Sequence, residues 1–186
     1  MNKFRTTILA TFNDKCDVLI EKLKNHTKIS TDFQDLMFRF TLDSIGMIAF
    51  NFDIGALKKE KVQFCEDFDY CQESTNNSFI DPFWFLDRYF GSGLRYFSAL
   101  NRINAFAYRI INERRDSIKS NNCDDPKDLL SIYLKNNPDV TNRELRDVII
   151  NFIIAGRDTT GTLILILILI LILILISILI LIQHKL

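Results

Sequence analysis

Between Leu145 and Thr160 the sequence sets up a buried helix and then interrupts it. Leu145, Val148, Ile149, Phe152 and Ile153 fall at i, i+3, i+4, i+7 and i+8, the apolar stripe of an amphipathic helix packed on a core. Thr141-Asn142-Arg143-Glu144 ahead of them has the form of a capping box, Thr at the N-cap and Glu three residues on. The stripe then meets Ala155-Gly156-Arg157-Asp158-Thr159-Thr160. A glycine inside a helix costs about 1 kcal/mol against alanine. A carboxylate on a mostly buried helix must find a partner or shift its pKa. These residues lie about three turns from the capped end, so fraying does not account for them. The pattern predicts one continuous helix from Thr141 to Leu163, distorted at or near Gly156. A helical Thr159 can bond back to the Ala155 carbonyl and bend it.

The remainder reads as all-α. Sixteen Phe against six Gly and three Pro favour long packed helices over a turn-rich sheet. Phe12 to Leu23 carries Cys16, Leu19, Ile20 and Leu23 on one side. Thr31-Asp32-Phe33-Gln34 has the form of a second capping box, with Thr31 as N-cap. Beyond it Leu36, Met37, Phe40, Ser44 and Met47 make one face, and Phe38, Leu42, Ile45 and Ala49 another. A helix apolar on two faces is interior, so 33–50 is expected to be the most buried helix, ended by Asp53-Ile54-Gly55. Residues 61–78 form the next helix, with Phe64, Phe68 and Cys71 on one side and a Ser/Thr/Asn stretch at its end. Asp81-Pro82-Phe83-Trp84-Phe85-Leu86 opens an aromatic segment. Ile103, Phe106, Ala107, Ile110 and Ile111 repeat at helical spacing up to Glu113-Arg114-Arg115. A loop at 121–126, a short helix Lys127–Lys135 and a loop around Pro138 complete this part.

Charge and cysteine usage exclude several classes. Lys plus Arg balance Asp plus Glu at 23 each, so no global field recruits nucleic acid. Cys16, Cys65, Cys71 and Cys123 contain no Cys-x-x-Cys pair, and His occurs only at 26 and 184. Neither a metal site nor a disulfide framework is suggested; reduced thiols serving as small apolar residues are.

The tail is of another kind. Of the twenty residues 163–182, nineteen are Leu or Ile in alternation, broken only by Ser177. Period-two alternation gives a helix no preferred face. Two readings compete: a membrane span, since about 20 apolar residues cross a bilayer core, or low-complexity translation of a repetitive A/T-rich tract. The second is preferred here because natural spans seldom use two residue types and often carry interfacial aromatics. The chain thus divides into a helical part, 1–162, a Leu/Ile segment, 163–182, and a polar end, 183–186.

Ala-Gly-x-Asp-Thr-Thr at 155–160, on a long helix, resembles the distal-helix motif of the cytochrome P450 (haem-thiolate monooxygenase) family. The segment 33–57 is similar to the buried helix that precedes the substrate-roof helices in that family, and 81–86 would lie in or beside the roof. The resemblance implies a haem cofactor. Ala155 and Gly156, with Thr160, would line it, and Thr159 would present a hydroxyl to bound oxygen. Asp158 would complete an acid–alcohol pair that delivers protons. It further implies a monooxygenase inserting one oxygen atom of O2 into an apolar C–H bond, a redox partner such as a flavoprotein reductase, and an endoplasmic reticulum membrane location. Arg157 within the motif and the Asp-Pro-Phe-Trp segment look most like the fatty-acid hydroxylase branch.

Other family motifs are missing. No cysteine lies in a Phe-x-x-Gly-x-Arg-x-Cys-x-Gly setting, and no Glu-x-x-Arg pair occurs. Trp84-x-x-x-Arg88 has the spacing of a propionate-binding motif, but it follows the buried helix instead of preceding it. The expectation is the middle part of a P450 fold, inactive alone for want of the haem-ligating cysteine. The rival is a small helical interaction protein held to a membrane by its C-terminal segment.

Overall fold

The computed structural model describes residues 2–25, 32–81, 83, 92–119 and 128–183, and among these there is helix and loop but no strand. The helices are α1 (Asn2–Asn25), α2 (Phe33–Phe50), α3 (Gln63–Ile80), α4 (Ser92–Lys119), α5 (Leu129–Asn136) and α6 (Asn142–Ile154). A π-helical turn, Ala155–Thr159, leads without a break into α7 (Thr160–Gln183).

The two apolar faces of α2 become two separate cores. Leu42, Ala49 and Phe50 join Phe64, Cys65 and Phe68 of α3, Ile103, Ala107 and Ile111 of α4, and Leu145, Ile149 and Ile153 of α6. Leu36, Met37 and Phe40 join Leu57 in a smaller cluster, against which Phe12, Leu19 and Leu23 of α1 and Ile164 and Leu165 of α7 pack. α2 is therefore the central element, as its composition demands. Leu42 is 1% exposed, and Phe38 and Ile45 are half-buried.

Several boundaries differ from the sequence expectation, each for a local reason. The N-cap of α2 is Asp32, whose carboxylate accepts from Gln34 N (2.9 Å) and Asp35 N (3.1 Å); Thr31 lies outside the described residues. α2 keeps the expected bounds, 33–50, but its terminator is Asn51 and not Asp53-Ile54-Gly55: Asn51 adopts a left-handed conformation (φ 49°) and returns its N–H to Met47 O. α3 runs through the Ser/Thr/Asn stretch to Ile80, with Thr75 and Ser78 hydroxyls satisfied on carbonyls of their own helix. α4 does not stop at Glu113-Arg114-Arg115. Arg114 reaches Phe50 O and Asp128, and Arg115 reaches Val140 O, so these charges tie the helix to its neighbours. The aromatic residues Trp84–Leu86, the Trp84/Arg88 pair, the loop 121–126 and Cys123 lie outside the described residues.

One anchor had no sequence signature. Asp43, fully buried on α2, accepts from Ala56 N (2.8 Å) and Leu57 N (2.9 Å), fastening the loop after α2 across both cores. Burial pushes its carboxyl upward against the pull of those two N–H groups.

Candidate functional site

The site is built on the helix that opens at Thr141. The capping box is formed in both directions: Glu144 N donates to Thr141 Oγ1 (3.3 Å), and Thr141 N donates to Glu144 Oε2 (2.9 Å). These contacts hold the Glu144 carboxyl below its ordinary range. Leu145, Ile149 and Ile153 are buried and Val148 half-buried, as the stripe requires, but Phe152 is exposed. It lies on the side that no other described helix covers.

The distortion falls on the motif. Residues 155–159 widen into a π turn, and Thr159 Oγ1 donates to Ala155 O, the back-bond that the spacing predicts. A second hydroxyl comes from α2: Thr41 Oγ1 donates to Arg157 O (2.9 Å), its nearest acceptor, with Met37 O (3.1 Å) and Phe38 O (3.2 Å) as the alternatives for the same proton. The turn is thus pinned from inside the molecule.

The five motif residues separate onto four sides. Ala155 and Thr159 are exposed and share the uncovered face with Phe152. Gly156 faces α2: a Cβ there would stand 2.7 Å from Ile45 Cγ1 and 2.9 Å from Cδ1, so its bareness serves helix approach. Thr160 is half-buried on the flank, followed by Gly161, where a Cβ would stand 2.6 Å from Phe38 Cδ1. Asp158 points toward α3. Its side chain is 21% exposed, accepting from Gln72 Nε2 and, at 3.2 Å, from the adjacent Arg157. Acid and alcohol are adjacent in the chain but face different ways.

Arg157 is the residue whose weight the sequence understated. It is 3% exposed, packed 5.0 Å from the Phe38 ring and 5.3 Å from the Phe68 ring, and paired with Asp69 of α3 at 2.5 Å. Its Nε is buried without a partner. A cation on a buried stripe demands a counter-charge, and Asp69 of α3 supplies it, while Gln72, three residues on, donates to the neighbouring Asp158. Neither residue was singled out from the sequence. The demand of Arg157 was the available signal.

The described cysteines are thiols in apolar surroundings. Burial pushes Cys65 up to about 11 and raises Cys71 and Cys16 as well. Among the described residues no group of three His, Cys, Asp or Glu side chains is placed to hold a metal ion.

With this geometry, the comparison with known proteins is specific. The family model for cytochrome P450 matches residues 1–173. The chain is 29% identical over 174 residues to cytochrome P450 monooxygenase cyp1 of Mycosarcoma maydis, covering 86% of this chain and 27% of the relative. It is 29% identical over 183 residues to cytochrome P450 704B1 of Arabidopsis thaliana, covering 88% and 35%. The chain therefore spans about a third or less of the length of these relatives. The crystal structure of the cytochrome P450DA heme domain shares the fold with a TM-score of 0.64 at 22% identity, over 82% of this chain and 32% of that one. The matched region takes in the capped helix, the π turn and the start of α7, and the chain belongs to the cytochrome P450 family.

Proposed function

We propose that residues 1–162 form the distal wall of a haem-thiolate monooxygenase, the side of the haem on which oxygen and an apolar substrate meet. The observation that carries this reading is the π turn whose small residue, Ala155, and hydroxyl, Thr159, stand together on a face no other described helix covers. That face fits one side of a flat macrocycle. Among the described cysteines, Cys65 and Cys71 are buried with their thiols pushed upward, which suits core packing and not ligation of the other side. Haem, when bound, would supply the activation of dioxygen.

The chain's own groups supply proton handling and shape. Thr159 rests its hydroxyl proton on the Ala155 carbonyl, leaving the oxygen lone pairs toward the open face. Rotation of that hydroxyl presents a donor to a ligand. Asp158, partly open to solvent and steadied by Gln72 and Arg157 on the α3 side, is assigned as the acid of the pair, and solvent between the two sides would carry the proton to Thr159. Relays of this type contribute typically about 10²–10⁴-fold. Ala155, Gly156 and Thr160 are assigned to the haem-facing stretch, Gly156 through its backbone. The substrate is an apolar molecule, a fatty acid on the strength of Arg157 within the motif. The electron donor is a flavoprotein reductase, and the site of action is the endoplasmic reticulum membrane.

The test joins residues 1–162 to the haem-ligating half of a P450 relative. In that chimaera Thr159→Ala leaves the ferrous–CO band of thiolate-ligated haem unchanged and diverts reducing equivalents from product to peroxide, while Thr159→Ser restores coupling. Unchanged coupling in Thr159→Ala defeats the acid–alcohol assignment. The 186-residue chain alone is expected to give no thiolate-type band, and a stoichiometric one refutes the reading that the haem-ligating cysteine lies in a part of the fold this chain does not contain.

A further inference from the structure

We propose that α7 from Ile166 to Ile182 is a bilayer-spanning segment, so that lipid hydrocarbon is the partner of the exposed Leu/Ile surface. Whatever nucleotide tract encodes it, the chain carries this helix, and its physical chemistry favours one surrounding. Ile164 and Leu165 still pack on the α1–α2 cluster, and Gly161 seats against Phe38. After them only Ile168 is half-buried, and the rest of the helix is exposed among the described residues. From Leu169 to Ile182 every residue is exposed, Leu171 at 59% and Ile172 at 47% being typical. The seventeen-residue stretch from Ile166 to Ile182 measures about 26 Å, close to the roughly 27–30 Å of a bilayer's hydrocarbon core.

Water and protein partners fit less well. An apolar surface running all round a helix for more than four turns exceeds what soluble chains expose. A second copy, or any helical partner, would need a stripe to grip, apolar at a and d and polar elsewhere. Alternating Leu and Ile offers the same surface in every direction. Hydrocarbon makes no such demand. It requires instead that no polar group be left open, and that condition is met. The backbone is continuous helix, and the sole polar side chain, Ser177, donates to Leu173 O at 2.8 Å. Polar residues stand at both limits: Thr160 and Thr162 on the body side, Gln183 with His184 and Lys185 on the other.

The helix is unbroken from Asn142 to Gln183 through the π turn. The span and the Thr159 face are therefore parts of one rod, and the body is held at the membrane surface at a set angle. This proposal does not rest on the haem reading, since it needs neither cofactor nor turnover.

The test uses the full chain and phosphatidylcholine vesicles. The protein is expected to float with the vesicles and to resist alkaline carbonate. Ile174→Trp in a Trp84→Phe background is expected to be quenched more by lipid brominated near the chain ends than by lipid brominated near the headgroup. Leu173→Arg with Ile174→Arg, both outside the packed body, is expected to lower the carbonate-resistant fraction by about tenfold or more. Three results overturn the proposal: quenching strongest near the headgroup, which means an interfacial helix; pelleting without lipid in place of flotation, which means self-association; or flotation that the double-arginine variant leaves unchanged.

Discussion

Gly156→Ala tests whether the motif glycine is bare for the sake of α2. In an ordinary helix the change gains about 1 kcal/mol. Here the new methyl would lie 2.7 Å from Ile45 Cγ1 and 2.9 Å from Cδ1. Overpacking of that kind costs about 1–3 kcal/mol, so the net effect is a loss of about 0–2 kcal/mol. Ile45→Ala removes both clashing atoms. The Cβ at position 45 stays at 3.1 Å, an overlap that a shift of a few tenths of an ångström relieves. In that background Gly156→Ala should recover its ordinary gain of about 1 kcal/mol. The sign of the substitution therefore reverses, and the coupling energy equals the overlap, about 1–3 kcal/mol. Urea midpoints of the four chains measure it, taken with Leu173→Arg and Ile174→Arg present throughout to keep the chains in solution. If Gly156→Ala costs the same with and without Ile45, steric approach is not the reason for the glycine, and the π turn itself demands it.

Three further outcomes follow from polar contacts. Asp43→Ala strands the Ala56 and Leu57 N–H groups and should cost about 2–4 kcal/mol by urea unfolding, leaving α1 contacts otherwise intact. Arg102 grips Asp67 at 2.7 and 2.6 Å and holds its carboxyl below the ordinary 3.8. That stabilisation is complete above 3.8 and is lost as pH falls through the lowered folded value, so the stability gap between parent and Arg102→Ala should shrink in acid. With its thiol pushed up to about 11, Cys65 should resist iodoacetamide at neutral pH in the folded chain and react once urea opens the α2–α3 core.

What the sequence revealed and what it hid divide along a physical line. Periodicities and caps are local: the Thr141 box, the two faces of α2 and the Thr159 back-bond could be read because each involves residues within a few positions of one another. Partners across the fold could not be read. Asp43 looks like an unremarkable acid in an apolar helix until the loop at 56–57 folds back onto it. The direction in which Gly156 is bare depends on where Ile45 lies. Asp158 resembled a solvent link, and the fold adds Gln72 from a helix 86 residues away in sequence. The stripe also overextended: Phe152 satisfies the period but faces outward, because pattern does not say where the covered arc ends.

The π turn also acts as a phase corrector. Leu145, Ile149, Ile153, Arg157 and Gly161 are all buried, each four residues after the last. In a plain α-helix that spacing drifts by about 40° per step, so Gly161 would point about 160° away from Leu145, nearly to the opposite side. One π bulge acts as a one-residue insertion and takes back about 100° of that drift. The helix can then keep a single line of residues against α2 across the whole motif. Length within Ala155–Thr159 is consequently as constrained as composition. Deleting one residue there would restore the α-helical phase and rotate everything beyond it by about 100°. Gly161 would swing off Phe38, a bulkier neighbour would take its place, and the close approach of α7 to α2 would be lost with no change in the chemistry of the remaining side chains.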